Sequence, residues 1–285
     1  MDEFTKLLLA VVASRHGDAR LTARAREPGT SAFADLLRGI SRAEQERADE
    51  EASELSDRGV GAVLFGSPEY PHLLSQIRAA PPFLFYTGAA DLLTAHGIGV
   101  CGSRNASDEG LRAATACGEV ATQQGLTVVS GYARGVDTTA HFSALSSGGS
   151  TVIVLPEGIN RFRVKSGPVA DAWNTERVLV VSQFSPGRPW SAGNAMARNN
   201  VIIGLSLALV VVEAGEKGGT LAAGTKALQL NKPVLALAFA LNPRGNAALI
   251  RQGAISIRNR TELRARLMEV AKNPQGNQLS IISGM

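Results

Sequence analysis

The sequence predicts an α/β protein: one doubly wound, mostly parallel sheet preceded by a small N-terminal helical domain. Two observations carry this reading. From about residue 98, short and almost wholly apolar runs alternate with amphipathic stretches, the pattern of strands buried on both faces and covered by helices. Before that, residues 1–58 are rich in Ala, Leu, Arg and Glu at helical spacing.

The helical part breaks at Glu27-Pro28-Gly29-Thr30 and at Arg38-Gly39. Its apolar run, Leu7 to Ala13, follows Asp2 and Glu3 and precedes no small-residue cleavage site, so it reads as a core helix rather than a signal peptide. The segment Ser41 to Asp57 is mostly charged, with Ala43, Ala48 and Leu55 as its few apolar points, and reads as a solvated helix leading to a linker. The larger unit spans 59–272. Its strands are Ile98–Gly102, Leu126–Ser130, Thr151–Leu155, Val178–Ser182, Leu207–Glu213, Val234–Phe239 and Ala254–Ile257. The helix after the first of these is signalled in full. Ser107 is its cap, Asp108 and Glu109 suit the positive end of the dipole, Leu111, Ala114, Cys117 and Ala121 share one face, and Gly125 ends it. A last helix, Thr261 to Ala271, is followed by a frayed tail, 273–285.

The totals exclude several classes. With 285 residues, 45% of them hydrophobic, the chain can bury a large core. Its most apolar stretch, Val201 to Val212, is far below the roughly 20 residues of a membrane helix. Cys101 and Cys117 make no disulfide framework, and His16, His72, His96 and His141 form no metal-ligand pattern, so a reducing cytoplasm and no cofactor are expected. The net charge of +4 is modest, but several cations fall in glycine-rich loops between strands.

In a doubly wound sheet, ligands bind beyond the carboxyl ends of the strands. Four loops there combine Gly, a small hydroxyl and a cation. The first is Gly102-Ser103-Arg104-Asn105, where glycine admits a phosphate, the next helix offers N–H groups, and Ser103 and Arg104 bond phosphate oxygens. The second runs Ser130-Gly131-Tyr132-Ala133-Arg134-Gly135-Val136-Asp137, with Asp137 as helix cap and His141 four residues on. The third is Arg198-Asn199-Asn200 leading into Val201-Ile202-Ile203-Gly204-Leu205-Ser206, and the fourth is Gly215-Glu216-Lys217-Gly218-Gly219-Thr220-Leu221, with Lys217 beside two glycines and a threonine at a helix start. Neither the dinucleotide glycine fingerprint nor a true phosphate loop is present, since Gly219 to Lys226 reads Gly-Thr-Lys in the wrong order.

Taken in order, these motifs resemble the DprA/Smf family of DNA-processing proteins, whose sheet is Rossmann-like. The resemblance covers about residues 60–260. It begins with Gly66-Ser67-Pro68-Glu69-Tyr70-Pro71 and Pro81 to Gly88, and continues through Gly102-Ser103-Arg104, Ser130-Gly131, Ala133 to Asp137 and Ala140-His141. Arg198-Asn199, Ile202 to Ser206, Val212-Glu213-Ala214, Gly219-Thr220-Leu221 and Gly245-Asn246 complete it. It implies a non-enzymatic, single-stranded DNA binding protein that loads a RecA-type recombinase in recombination and natural transformation, working as a homodimer. Ser103, Arg104, Arg134, Arg198 and Lys217 would then line a pocket for DNA phosphates.

The chain departs from the family pattern at Gln183, Asn200 and Gly218-Gly219. Near residue 160 a Tyr-Pro pair is replaced by Asn160-Arg161-Phe162-Arg163-Val164-Lys165, whose cations and aromatic ring offer charge and stacking. The winged-helix domain that many relatives carry after the last helix is not expected. A second reading is a nucleotide-binding or phosphoribohydrolase-like member of the wider superfamily that includes the LOG enzymes. Against it, Gly218-Gly219-Thr220-Leu221-Ala222-Ala223-Gly224 holds no acid, which leaves Glu157 and Glu213 as the carboxylates available for hydrolysis.

Overall fold

The computed structural model describes residues 1–17, 20–27, 31–238 and 243–273. Pro28 to Thr30, Phe239 and the tail from Pro274 therefore lie outside the described residues. Helices α1 (Glu3–His16), α2 (Leu21–Ala25), α3 (Ala32–Arg38) and α4 (Arg42–Asp57) come first. Next are β1 (Val60–Leu64), α5 (His72–Ser75) and β2 (Phe83–Gly88). The alternating part follows as β3 (Gly97–Cys101), α6 (Asp108–Gln123), β4 (Thr127–Ser130), α7 (Val136–Ser146), β5 (Thr151–Val154), α8 (Pro168–Asp171) and β6 (Val178–Ser182). It closes with α9 (Ala192–Gly204), β7 (Leu209–Val211), α10 (Gly219–Gln229), β8 (Val234–Leu237), α11 (Arg244–Arg251), β9 (Ile255–Ile257) and α12 (Arg260–Lys272).

Among the described residues, nine strands form one sheet in the order β1-β2-β6-β5-β4-β3-β7-β8-β9. Strands β3 to β9 are parallel throughout, whereas β2 runs antiparallel to β6 and β1 antiparallel to β2. The chain winds outward from β3 to β6, returns through α9, and winds the other way from β7. The direction of winding thus reverses between β3 and β7. All seven strands read from the sequence are present. Strands β1 and β2 add an antiparallel pair that the apolar-run pattern did not reveal.

Successive residues of a strand face opposite sides, and β6 shows both sides to be core. Val178 and Val180 pack with Leu7 to Ala13 of α1 and with Leu55 of α4, while Leu179 and Val181 join Ile202 and Ile203 of α9. Helix α1 is buried along Lys6 to Ala13, as a helix apolar nearly all round must be. Its one buried cation, Lys6, is matched by Glu3 at 2.7 Å and Glu69 at 3.0 Å. Over β3, β4 and β7 the same face is covered by α6 and α7. Ser107 caps α6 as expected, its Oγ accepting from the Gly110 N–H at 3.0 Å. No helix among the described residues is long and apolar enough to cross a membrane.

Candidate functional site

Beyond the carboxyl ends of β4 and β5 lies an open cleft of about 420 Å³. Its floor is the loop after β4. The Ser130 Oγ, fully buried, donates to the Val100 carbonyl at 2.6 Å and ties β4 to β3. The N–H groups of Gly131 and Ala133 both donate to Asp137 Oδ2 at 3.3 Å, winding the loop around a buried carboxylate. Asp137 is therefore not the helix cap read from the sequence. Gly135 holds that position at φ 88°, where a Cβ would strike the Ser103 carbonyl, and Asp137 is the second residue of the helix. Tyr132 is held at φ 60°, a left-handed conformation rare for an aromatic residue and a mark of a tightly specified loop.

Arg198 of α9 lies under this loop. It is 7% exposed, its Nη1 donates to the Val154 carbonyl at 3.3 Å, and its Nε has no protein partner. Gly131 makes room for it, since a Cβ there would land on the guanidinium. Burial lowers the Arg198 pKa from its ordinary value and the charge of Asp137 opposes that shift. Burial likewise pushes the Asp137 carboxyl up, against the pull of Arg198 and the loop N–H groups. Each charge is thus part of the other's solvent.

His141 has a separate task. Thr151 donates its hydroxyl proton to the Val128 carbonyl at 2.8 Å, so the 2.6 Å contact with His141 must run from Nδ1–H to Thr151 Oγ1, leaving Nε2 unprotonated and without a partner. Burial pushes its pKa down to about 3, and it fastens α7 to β5 as a neutral ring.

One rim of the cleft is the segment 158–165. The Gly158 N–H donates to the Arg188 carbonyl at 2.8 Å, and the Lys165 N–H to the Tyr132 hydroxyl at 3.1 Å. The Lys165 ammonium stands 5.5 Å over the Tyr132 ring. Phe162 packs edge-on to Tyr132 at 5.6 Å and against Trp173 at 6.0 Å, so its half-exposed ring braces the segment while also lining the cleft. Among the described residues, the cleft walls carry six cations, Arg104, Arg134, Arg161, Arg163, Lys165 and Arg198, against one carboxylate, Glu157. Tyr132, Phe162 and Trp190 stand among them.

The structure thus brings together Arg104, Gly131, Arg134 and Arg198. Asn199, Lys217 and Gly218 line a different cleft, of about 580 Å³, on the other side of α9 beside Met196 and Lys226. Neighbours on a helix point about 100° apart, which sends Arg198 and Asn199 to different sides. The remaining expected ligands make structural bonds. Ser103 Oγ accepts from the Asn105 N–H at 3.1 Å, and Thr220 Oγ1 donates to the Gly102 carbonyl at 3.0 Å. Gly219 begins α10.

The usual anion position of such a sheet, the α6 N-terminus at the β3/β7 reversal, is already taken. Glu213, from the end of β7, accepts from the Ser107 N–H at 3.1 Å and from its Oγ at 2.9 Å. The first loop consequently offers the Arg104 side chain rather than helix N–H groups, and the open space lies one strand further on. Sequence reasoning read Arg161, Arg163 and Lys165 as a run able to hold a strand, and all three line the cleft, but it gave Tyr132 and Trp190 no role in the site. The 160–165 cations were visible as a run, but Trp190 follows no strand and carried no signal. Among the described residues no cluster of His, Cys, Asp and Glu is placed to hold a metal ion.

Comparison with known proteins agrees with this architecture. The family model for DNA recombination-mediator protein A matches residues 61–285. A protein Smf from Synechocystis is 32% identical over 224 residues, covering 76% of this chain and 56% of the relative. The chain spans between 53% and 59% of the length of three such curated relatives. The structure of DNA processing protein A from Streptococcus pneumoniae superposes with a TM-score of 0.73 at 26% identity, covering 93% of this chain and 98% of that one. DNA processing protein A from Helicobacter pylori shares the fold with a TM-score of 0.63 at 22% identity, over 73% of this chain and 95% of that one. A Rossmann-like sheet with these loops, matched over most of its length, places the chain in the DNA recombination-mediator protein A family, known also as DprA or Smf.

Proposed function

We propose that the cleft beyond β4 and β5 binds the phosphodiester backbone of single-stranded DNA and performs no chemistry on it. The observation that carries this is the set of six cations against one carboxylate around a single open cleft. Arg104 and Arg134 stand at the mouth and Arg198 supplies charge from below. A sulfate-sized site would need two or three such groups, whereas six around one cleft suit a chain of phosphates. The Helicobacter pylori relative, whose structure was described for its single-stranded DNA binding mode, supports the choice of ligand. Glu213 is committed to Ser107, which argues against a hydrolytic role for that carboxylate. Within this reading the protein is a cytoplasmic homodimer that hands its strand to a RecA-type recombinase, in recombination or natural transformation. Asn199, Lys217, Gly218, Gly219 and Thr220 then act in the second cleft and its supporting turn, as an extension of the strand's path.

Anisotropy titration with labelled oligo-dT, with a duplex of equal length and with mononucleotides tests it. Oligo-dT is expected to bind most tightly, with a log-log salt slope of about −2 to −4 from three to five released counterions. A slope near zero, or tight mononucleotide binding without oligo-dT binding, would replace this reading with nucleotide handling.

A further inference from the structure

We propose that Trp190 is the base-recognition element of this cleft, a rigid stacking surface for one unpaired base. The inference rests on the phosphate reading above and adds what that reading lacks, a reason for the strand to be single.

Trp190 lines the cation-rich cleft and is 52% exposed. Large indoles are seldom left in water without a use. The other indole, Trp173, shows the contrast, since it packs against Phe162 at the edge of the α1 core. No ring or cation contact among the described residues involves Trp190. Its backbone, however, is pinned on both sides. The Arg188 carbonyl accepts from the Gly158 N–H at 2.8 Å, and the Pro189 carbonyl from Asn194 Nδ2 at 3.1 Å. Ser191 caps α9, its Oγ accepting from the Asn194 N–H at 3.0 Å. With the backbone already fixed, covering the indole costs only the freedom of its two side-chain torsions.

The surroundings identify what covers it. Arginines and a lysine on the same walls require a polyanion, and an aromatic face among them requires a flat apolar group attached to that polyanion. A single strand supplies both at every nucleotide. In a duplex each base face is already stacked on its neighbours and cannot reach the indole.

The experiment compares oligo-dT with an abasic oligodeoxynucleotide of the same length, which keeps every phosphate and loses every base. Binding is measured on the wild type, Trp190→Ala and Trp190→Phe, and indole emission on Trp173→Phe, which reports Trp190 alone. Wild type is expected to prefer oligo-dT over the abasic strand by about tenfold, in the lower half of the usual stacking range. Trp190→Ala should erase that preference while leaving abasic affinity and the salt slope unchanged, Trp190→Phe should keep most of it, and oligo-dT should quench emission where the abasic strand does not. Equal binding of both strands by the wild type, or an undiminished preference in Trp190→Ala, overturns the role of the indole and leaves the phosphate reading standing. Failure of both strands to bind overturns the two together.

Discussion

The two clefts flanking α9 are built from similar residues and differ in how those residues are held. On one side Arg198 is buried, bonded to a strand-end carbonyl and shaped to the face of Gly131. On the other, Lys217 is an exposed cation on the turn before α10, next to Glu216, which is itself paired with Arg244 at 2.6 Å. A cation that cannot move keeps its field on the cleft without paying side-chain entropy on binding, whereas a surface lysine beside an acid is largely satisfied by water. Similar composition therefore gives one organised anion site and one diffuse one.

The largest effect is expected at the organised side. Arg198→Ala leaves the Val154 carbonyl unpaired and Asp137 buried without its balancing charge, which should cost about 2–4 kcal/mol of stability by urea denaturation. Oligo-dT affinity should fall at least tenfold. Gly131→Ala, which retains Arg198 but displaces its guanidinium, should show the same affinity loss. Wild-type affinity and stability in Gly131→Ala would mean that the loop does not fix the arginine and that the contrast between the clefts is misplaced.

Arg104→Ala comes next, with a loss of about 1.5–3 kcal/mol in oligo-dT binding, partly restored by Arg104→Lys, and an unchanged Tm, because the side chain supports no core. Binding within twofold of wild type would move the pocket elsewhere. His141 adds an effect of pH. Its folded value of about 3 lies below the ordinary 6.5, so its stabilising contribution is complete above pH 6.5 and is lost as the pH falls, at about 1.4 kcal/mol per unit until the folded value is reached. His141→Gln should flatten the stability profile by that amount between pH 6.5 and 5, and parallel profiles for the two proteins would refute the buried neutral ring. Smallest of all should be Lys217→Ala, at most about 0.5 kcal/mol in oligo-dT affinity at moderate salt. A loss equal to that of Arg104→Ala would show the second cleft to be an equal partner.

The seven parallel strands were legible because burial on both faces writes each as a continuous apolar run, for which Thr151 to Val154 is typical. β1 and β2 were not. Val60 to Leu64 is broken by Gly61, and both strands owe their existence to pairing with each other and with β6, far along the chain. The cations of the site were legible by residue type and by position after strands. Their division between two clefts depends on the rotational phase of α9, and Trp190 reaches the cleft only because residues 186–188 fold back to bond Gly158 and Asn160. The run of motifs in order carried the family assignment where no single loop was sufficient.

The bond from Glu213 to Ser107 joins residues 106 apart in the chain, and that from Thr220 to Gly102 joins residues 118 apart. Both cross the β3/β7 reversal. A parallel sheet wound in two directions is completed only when its two halves meet, and contacts of such long range form late because the intervening loop must be closed first. Glu213 fills the helix terminus with the protein's own carboxylate only when both halves are present. The loop bearing Arg104 lies between these two bonds, so the position of the arginine depends on both halves of the sheet being in place. A chain with only one half of the sheet in place would present the cations without the geometry.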